Sequence, residues 1–314
     1  MSKFKLKKLR IKLKKPTKKT LVSSKVLIGL HLIITLGGFG YSGYYWYDNS
    51  FTDTNRIFYG MIDKSLNTNA VMRTAEQSGA NRTETQTVHL SFSPEIALHT
   101  TTGLDQITSQ NREKSSVETE TYGSKESDYV QYTNINIPST EGEATDYSKV
   151  LNTWAKRSGA NVSGENQAQF LNEAAFTFVP FGNFPSDKRA ELVNMLKEKD
   201  VYKVTNTKIE YENGRPVLSG VVAINPSKFV EVMRKYAEFT GVGNVSQLDP
   251  SQYEDRNSFT IQIKIDVISR HLLEIRYPNG DRTEKYYAYG SKRPIVFPKQ
   301  TISVDELQAK LQQK

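Results

Sequence analysis

The sequence predicts an α+β protein: an N-terminal transmembrane helix followed by an antiparallel, half-barrel-like curved sheet packed on helices. Three observations predict it. Residues 26–47 are an uncharged, mostly apolar run behind a lysine-rich arm. Residues 259–267 alternate strictly between apolar and polar side chains, which is the period of a strand with one buried face. Two further strand-like runs are joined by Asn213 and Gly214, the pair preferred in a two-residue type I′ hairpin because both positions need positive φ.

The N-terminal elements divide the chain into a basic cytoplasmic arm (1–25), a transmembrane anchor (26–47) and an extracytoplasmic α+β domain (48–314). A hydrocarbon core of about 30 Å needs roughly 20 helical residues, and the run before Asp48 supplies that reach. Eleven lysines and arginines and no acidic residue precede it, so the amino terminus is expected in the cytoplasm and the C-terminal domain outside a single-pass cell membrane protein. Tyr41, Tyr44, Tyr45, Trp46 and Tyr47 crowd its distal end, as an interfacial aromatic belt would. A cleaved secretory signal also starts basic and apolar, but it ends in small residues. This run ends in tyrosines, which favours a retained anchor.

The formal charge of +8 belongs to the arm: removing its eleven positive charges leaves −3 for the remainder. Nucleic acid is therefore not an expected partner, and the arm suits the anionic inner surface of the cytoplasmic membrane. The chain has no cysteine, which excludes disulfides, thiolate chemistry and an acylated N-terminal cysteine. The helix itself is then the tether.

Beyond the anchor, residues 55–76 carry Ile57, Phe58, Met61, Ile62, Leu66, Val71 and Met72 at roughly helical spacing, predicting one helix. Residues 83–98 and 114–137 alternate with Thr, Val and Tyr and read as amphipathic strands. The polar 138–146 is a loop, and Asp146 is placed to cap a helix with Val150, Leu151 and Trp154 on its apolar stripe. A short helix is expected over 167–176. Phe176, Phe178, Phe181 and Phe184 follow in a segment broken by Pro180, Gly182 and Pro185, which is either a lid over a cavity or a core plug.

Ser186 opens a helix with Leu192, Val193 and Leu196 as its buried face. Strands follow at 201–212 and 215–224. Asn225 and Pro226 then start a helix whose Phe229, Val230, Met233 and Tyr236 share a face. In 259–267, Phe259, Ile261, Ile263, Ile265 and Val267 point one way. Residues 272–277 and 282–289 complete a three-stranded meander, turned at Asn279 and Gly280, and a final helix spans Val304–Gln312.

Residues 259–298 resemble the closing region of the bacterial lipoprotein-carrier and mycobacterial lipid-carrier superfamily, the LolA-like fold. The likeness lies in a strand, a turn carrying His271, Leu272 and Leu273, a second strand, then Tyr289, Gly290, Pro294, Ile295 and Pro298. It implies an incomplete antiparallel barrel around a helix, with an apolar cavity for acyl chains. This chain departs from that family in having a helical anchor in place of a soluble or acylated start, so it would pass a lipid only over a short distance.

The chemistry-bearing residues are sparse. His31, His89, His99 and His271 are scattered, none at metal-ligand spacing, and Glu141, Glu143 and Asp146 lack the order of a calcium loop. No G-x-S-x-G elbow or H-E-x-x-H stretch occurs, so neither an enzyme, a metal site nor a cofactor is expected. The expected function is a membrane-anchored binding domain holding a lipid or other apolar ligand between sheet and helices. Its candidate cavity residues are Trp154, Phe176, Phe178, Phe181, Phe184, Phe229, Met233, Ile261, Ile263 and Ile265. The alternative is a cell-envelope interaction or assembly protein with a filled core, whose partner is another envelope protein.

Overall fold

The computed structural model describes residues 51–107, 113–138, 145–158, 169–175, 177–242, 248–278, 282–291 and 293–312, with single positions 35, 38, 39, 42 and 43. Chain contacts divide the molecule into Met1–Thr52 and Asp53–Lys314. In the first unit the five single positions are helical, and the rest of the expected anchor and its arm lie outside the described residues. No helix among the described residues is long and apolar enough to cross a membrane.

The second unit is α+β, with one large curved sheet and few helices. It begins with α1 (Thr54–Leu66), whose first turn is capped by Asp53 accepting from the Arg56 amide at 3.0 Å. The expected helix over 55–76 is corrected: α1 stops at Leu66, and Val71 and Met72 lie in β1 (Ala70–Ser78). The apolar spacing runs on by coincidence, but β1 is paired on both sides, with β2 (Arg82–Ser91) and with β11 (Arg282–Tyr287). Ladder hydrogen bonds override a weak local helical pattern.

Two expected strands become four. Residues 83–98 break at Ser93 and Pro94 into β2 and β3 (Ala97–Ile107). Residues 114–137 turn at Ser124, whose hydroxyl accepts from the Ser127 amide at 3.0 Å, dividing β4 (Lys114–Gly123) from β5 (Ser127–Asn136). The helix expected after Asp146 is also corrected. Asp146 does cap, accepting from the Ser148 amide at 2.8 Å, but it caps a turn, because Asn152 takes a left-handed φ of 56° and Leu151 bridges to Tyr132. Trp154 therefore precedes β6 (Ala155–Ser158) instead of lying on a helix. The 167–176 helix is α2 (Gln169–Ala175).

The last half follows the sequence closely. α3 (Ser186–Glu198), β7 (Tyr202–Glu212), β8 (Arg215–Ile224) and α4 (Pro226–Thr240) occupy their expected places. Asn213 and Gly214 have φ of 51° and 76° in the β7–β8 turn. Asn225 caps α4, which ends at Gly241 in the left-handed conformation. β9 (Phe259–Asp266), β10 (Leu272–Arg276) and β11 form the meander, although its Asn279–Gly280 turn lies outside the described residues. The meander is not a terminus of the sheet, since β11 continues into β1. β12 (Ile302–Ser303) leads into α5 (Val304–Gln312).

All of these strands belong to one twelve-stranded sheet in the order β12-β6-β5-β4-β3-β2-β1-β11-β10-β9-β8-β7. Among the described strands only the β12–β6 pairing is parallel. α1 packs on β7, β9 and α3, and α3 on α4, while α2 lies across β2 to β5. A small separate core joins Val150, Ala155 and Leu307 under α5. The main core fills the space between α1, α3, α4 and the β7 to β11 half, and its burial of aromatic and branched side chains is the dominant stabilising term.

Candidate functional site

Cross-strand register decides what each face of the sheet presents. Ile263 on β9 pairs with Ile275 on β10, and Ile275 with Glu284 on β11. On this same face Arg73, Val88, Thr100, Thr121 and Val130 pair in succession across β1 to β5. The face thus changes character along its length: apolar beneath α4, polar and threonine-rich beneath α2.

Beneath α4 the space is filled. Met233, Ile261, Ile263 and Ile265 are buried, and Phe181 and Phe184 enter between them and the helices. The Phe181 ring stacks on Tyr286 at 5.4 Å and the Phe184 ring meets Tyr236 edge-on at 5.8 Å. Half-buried Phe178 sits 6.1 Å from Phe229 and 4.6 Å from Phe259. The backbone of this segment is held as firmly as its rings. Gly182 exchanges hydrogen bonds with Ser65 and Thr68 at 3.0 and 2.6 Å, and the hydroxyls of Tyr202 and Tyr236 donate to the carbonyls of Phe178 and Phe181, each at 2.6 Å. Residues 177–184 are a core plug, not a lid. Phe176 lies outside the described residues. Trp154 is apart from the others, 5.1 Å from Tyr122 near β6. None of the nine described candidates lines the hollow that lies beneath α2.

That hollow, of about 480 Å³, lies between β1 to β5 and α2. Gly123 lets α2 approach, since a Cβ there would stand 3.1 Å from the Leu171 nitrogen. Its apolar side is made by Val88, Leu98, Val130, Phe170 and Ala174, and Thr100, Thr102, Thr119 and Thr121 form a belt of hydroxyls beside them. Arg73, Glu84, Gln86, Glu173 and Arg282 supply charge and further hydrogen-bonding groups.

A buried charge cluster closes the β1–β11 side. Glu284 is 1% exposed and accepts from the Tyr286 hydroxyl at 2.6 Å, from Arg282 Nε at 2.9 Å and from the Tyr277 hydroxyl at 3.3 Å. Arg73, 5% exposed, stands 3.9 Å from Glu284 and donates from Nη2 to Gln86 at 3.3 Å. Its Nε finds no partner among the described residues. Burial, and then the Glu284 charge, push the Tyr286 and Tyr277 hydroxyls well above the usual tyrosine range, so both stay protonated donors at neutral pH. For Arg282, burial works against the charge, but Glu284 outweighs it and the pKa is raised. A hollow with an apolar wall, a hydroxyl belt and a fixed guanidinium at one side can hold a molecule that is itself part apolar and part polar.

Sequence reasoning missed this site. The threonines were visible as alternation, but in β3 they face both sides, Thr100 and Thr102 toward the hollow and Thr101 away from it, leaving no apolar period from which to choose the inner face. Among the described residues no three His, Asp or Glu side chains gather for a metal ion.

The class defined by this architecture is an α+β domain with a single long curved sheet, helix-filled at one end and hollow at the other. No protein-family model and no curated protein matches the chain. Among solved structures, the crystal structure of LprF from Mycobacterium bovis is similar at 10% identity and a TM-score of 0.36, over 77% of this chain and 94% of that one. So low a score carries no weight for ancestry or ligand, and the chemistry has to come from the residues themselves.

Proposed function

We propose that this protein is a membrane-anchored, extracytoplasmic binding domain that holds an amphipathic small molecule in the hollow between β1 to β5 and α2. The single observation that carries the reading is the lining of that hollow, which sets Val88, Leu98, Val130, Phe170 and Ala174 against Thr100, Thr102, Thr119, Thr121 and Arg73. Its 480 Å³ falls within the usual range for small-molecule sites. A lipid with a short apolar portion, or another molecule of that character, would lie along the apolar wall with its polar group at the threonines and Arg73. The role is binding rather than catalysis, and the anchor at 26–47 keeps it at the outer face of the cytoplasmic membrane.

The test is extraction of the full-length protein in mild detergent, mass spectrometry of copurifying small molecules, and displacement of a fluorescent fatty-acid probe. Thr102→Trp, which fills the hollow, is expected to weaken probe binding by roughly tenfold, about 1.4 kcal/mol, with the melting curve unchanged. Absence of a copurifying molecule together with no saturable probe binding would sink the reading. Topology is tested separately: protease added outside intact cells should degrade the 53–314 unit and spare the basic arm.

A second reading, an envelope interaction or assembly protein, is favoured by the filled core under α4, where the plug leaves no room for a ligand. Crosslinking in intact cells that recovered one stoichiometric protein partner, with no bound small molecule, would select it.

A further inference from the structure

On the opposite face of the sheet, Met72, His89, His99, Tyr122 and Tyr129 pair in succession across β1 to β5. After β11 the chain turns at Gly290, whose φ is 71° and whose amide donates to the Ala70 carbonyl at 2.8 Å. It then crosses this face as a strap on its way to β12 beside β6. Phe297 fastens the strap, its ring 5.5 Å from Tyr129 and 6.1 Å from Tyr122. Between strap and sheet lies a second cavity of about 300 Å³, with Arg293 and Ile295 above and Thr87, His89 and Thr101 below.

Three features of this cavity converge. His89 is 5% exposed and its Nε2 has no hydrogen-bond partner among the described residues, an arrangement rare enough in folded proteins to call for a missing partner. The Arg293 guanidinium makes no ion pair among the described residues. No carboxylate among the described residues lines the cavity. Glu120, bonded to the lining residues His99 and Tyr122, is engaged by His99 Nε2 at 2.7 Å, Gln131 Nε2 at 2.7 Å and the Tyr122 hydroxyl at 3.4 Å. Burial first, then the charges of His99 and Arg293, hold His89 below the usual histidine range. Beside His89, the Arg293 charge and the hydroxyls of Thr87 and Thr101 therefore suit an oxyanion better than a cation.

We propose that the cavity under the strap binds a small oxyanion, a carboxylate or a phosphate, bridging Arg293 on the strap to His89 on β2 with Thr87 and Thr101 as further donors. The site is independent of the amphipathic ligand in the hollow, being on the other face of the same strands. The bound anion locks the strap to the sheet, so binding and strap protection are linked.

The experiment uses the full-length protein in detergent, with inorganic phosphate and succinate as separate calorimetric probes to distinguish the two sources of negative oxygen. Hydrogen exchange of residues 293–297 is followed in parallel. Saturable binding of either probe, with slower exchange in the strap and a rise in the His89 pKa, is expected. Arg293→Ala, at an exposed position that leaves the core intact, should weaken binding about tenfold or more, and Lys299→Ala should leave it unchanged. Absence of saturable binding by both probes overturns the proposal, as does binding that is indifferent to Arg293→Ala. A His89 titration unmoved by either anion also overturns it, since a trapped water would then satisfy Nε2.

Discussion

Glu284 concentrates three donors and a second guanidinium on a carboxylate that water does not reach. Removing its charge would leave Arg73 and Arg282 buried or half-buried without a counter-ion, and breaking a buried pair in this way costs about 3–5 kcal/mol. Glu284→Gln is therefore expected to lower the unfolding free energy by that amount, read as a lower urea midpoint, while Lys285→Gln, at the exposed neighbouring position, leaves the midpoint in place. Equal midpoints for both variants would show that the cluster adds nothing to stability. The importance of this residue was not legible in the sequence. A Glu on an alternating strand reads as solvent-facing, and only the pairing of β11 with β1 and β10 turns it inward. Ile261, Ile263 and Ile265 were legible, because five apolar side chains in strict alternation leave no doubt about which face is buried.

Among the elements, the 177–184 plug shows how far local signals reach. Its phenylalanines and breakers announced an irregular apolar segment, but whether it covers a cavity or fills a core depends on what lies opposite. The tyrosine hydroxyls from β7 and α4 that seize its carbonyls come from residues 24 and 55 positions away along the chain. Gly182 has no room for a side chain, since a Cβ would collide with the Phe184 ring, and that ring is held by Tyr236 and Phe239. Gly182→Ala is expected to destabilise by about 1–3 kcal/mol through overpacking, read as a lower melting temperature and faster amide exchange in the plug. A melting curve equal to the parent's would mean that the plug is loose. The overextended helix at 67–76 and the mistaken helix after Asp146 have the same origin. Their apolar positions suit a helix turn by turn, but β1 is claimed by two neighbouring strands and the second segment by Tyr132, β5 and β12.

For the whole molecule, the buried His89 and the half-buried His271 make stability depend on pH. Burial comes first for both, with Lys64 next at His271, and each pKa is lowered from the ordinary 6.5. A histidine that resists protonation when folded contributes its stability fully above its unfolded pKa, and loses it as pH falls from about 6.5 toward the folded value. Asp266 acts in the same direction at lower pH. Burial raises its pKa, but hydrogen bonds from Ser269 and the Arg215 charge outweigh that, so the net value lies below 3.8. The melting temperature is expected to fall between pH 7.5 and 5.5, and His271→Gln should shallow that slope. A slope unchanged in His271→Gln would remove this histidine from the account.

The sequence by itself determined the alternating and hairpin-linked strands of the last half, the capped helix at Asn225, the location of the excess charge and the absence of thiol chemistry. Those properties follow from periodicity, turn residues and composition, which act over a few positions along the chain. Only the tertiary structure decided that the phenylalanine segment plugs the core, that the hollow lies instead beneath α2, and that Glu284, Arg73 and His89 are buried. Each of those depends on which strands become neighbours and which face a distant helix or strap covers, and pairing across the sheet joins residues that no local pattern connects.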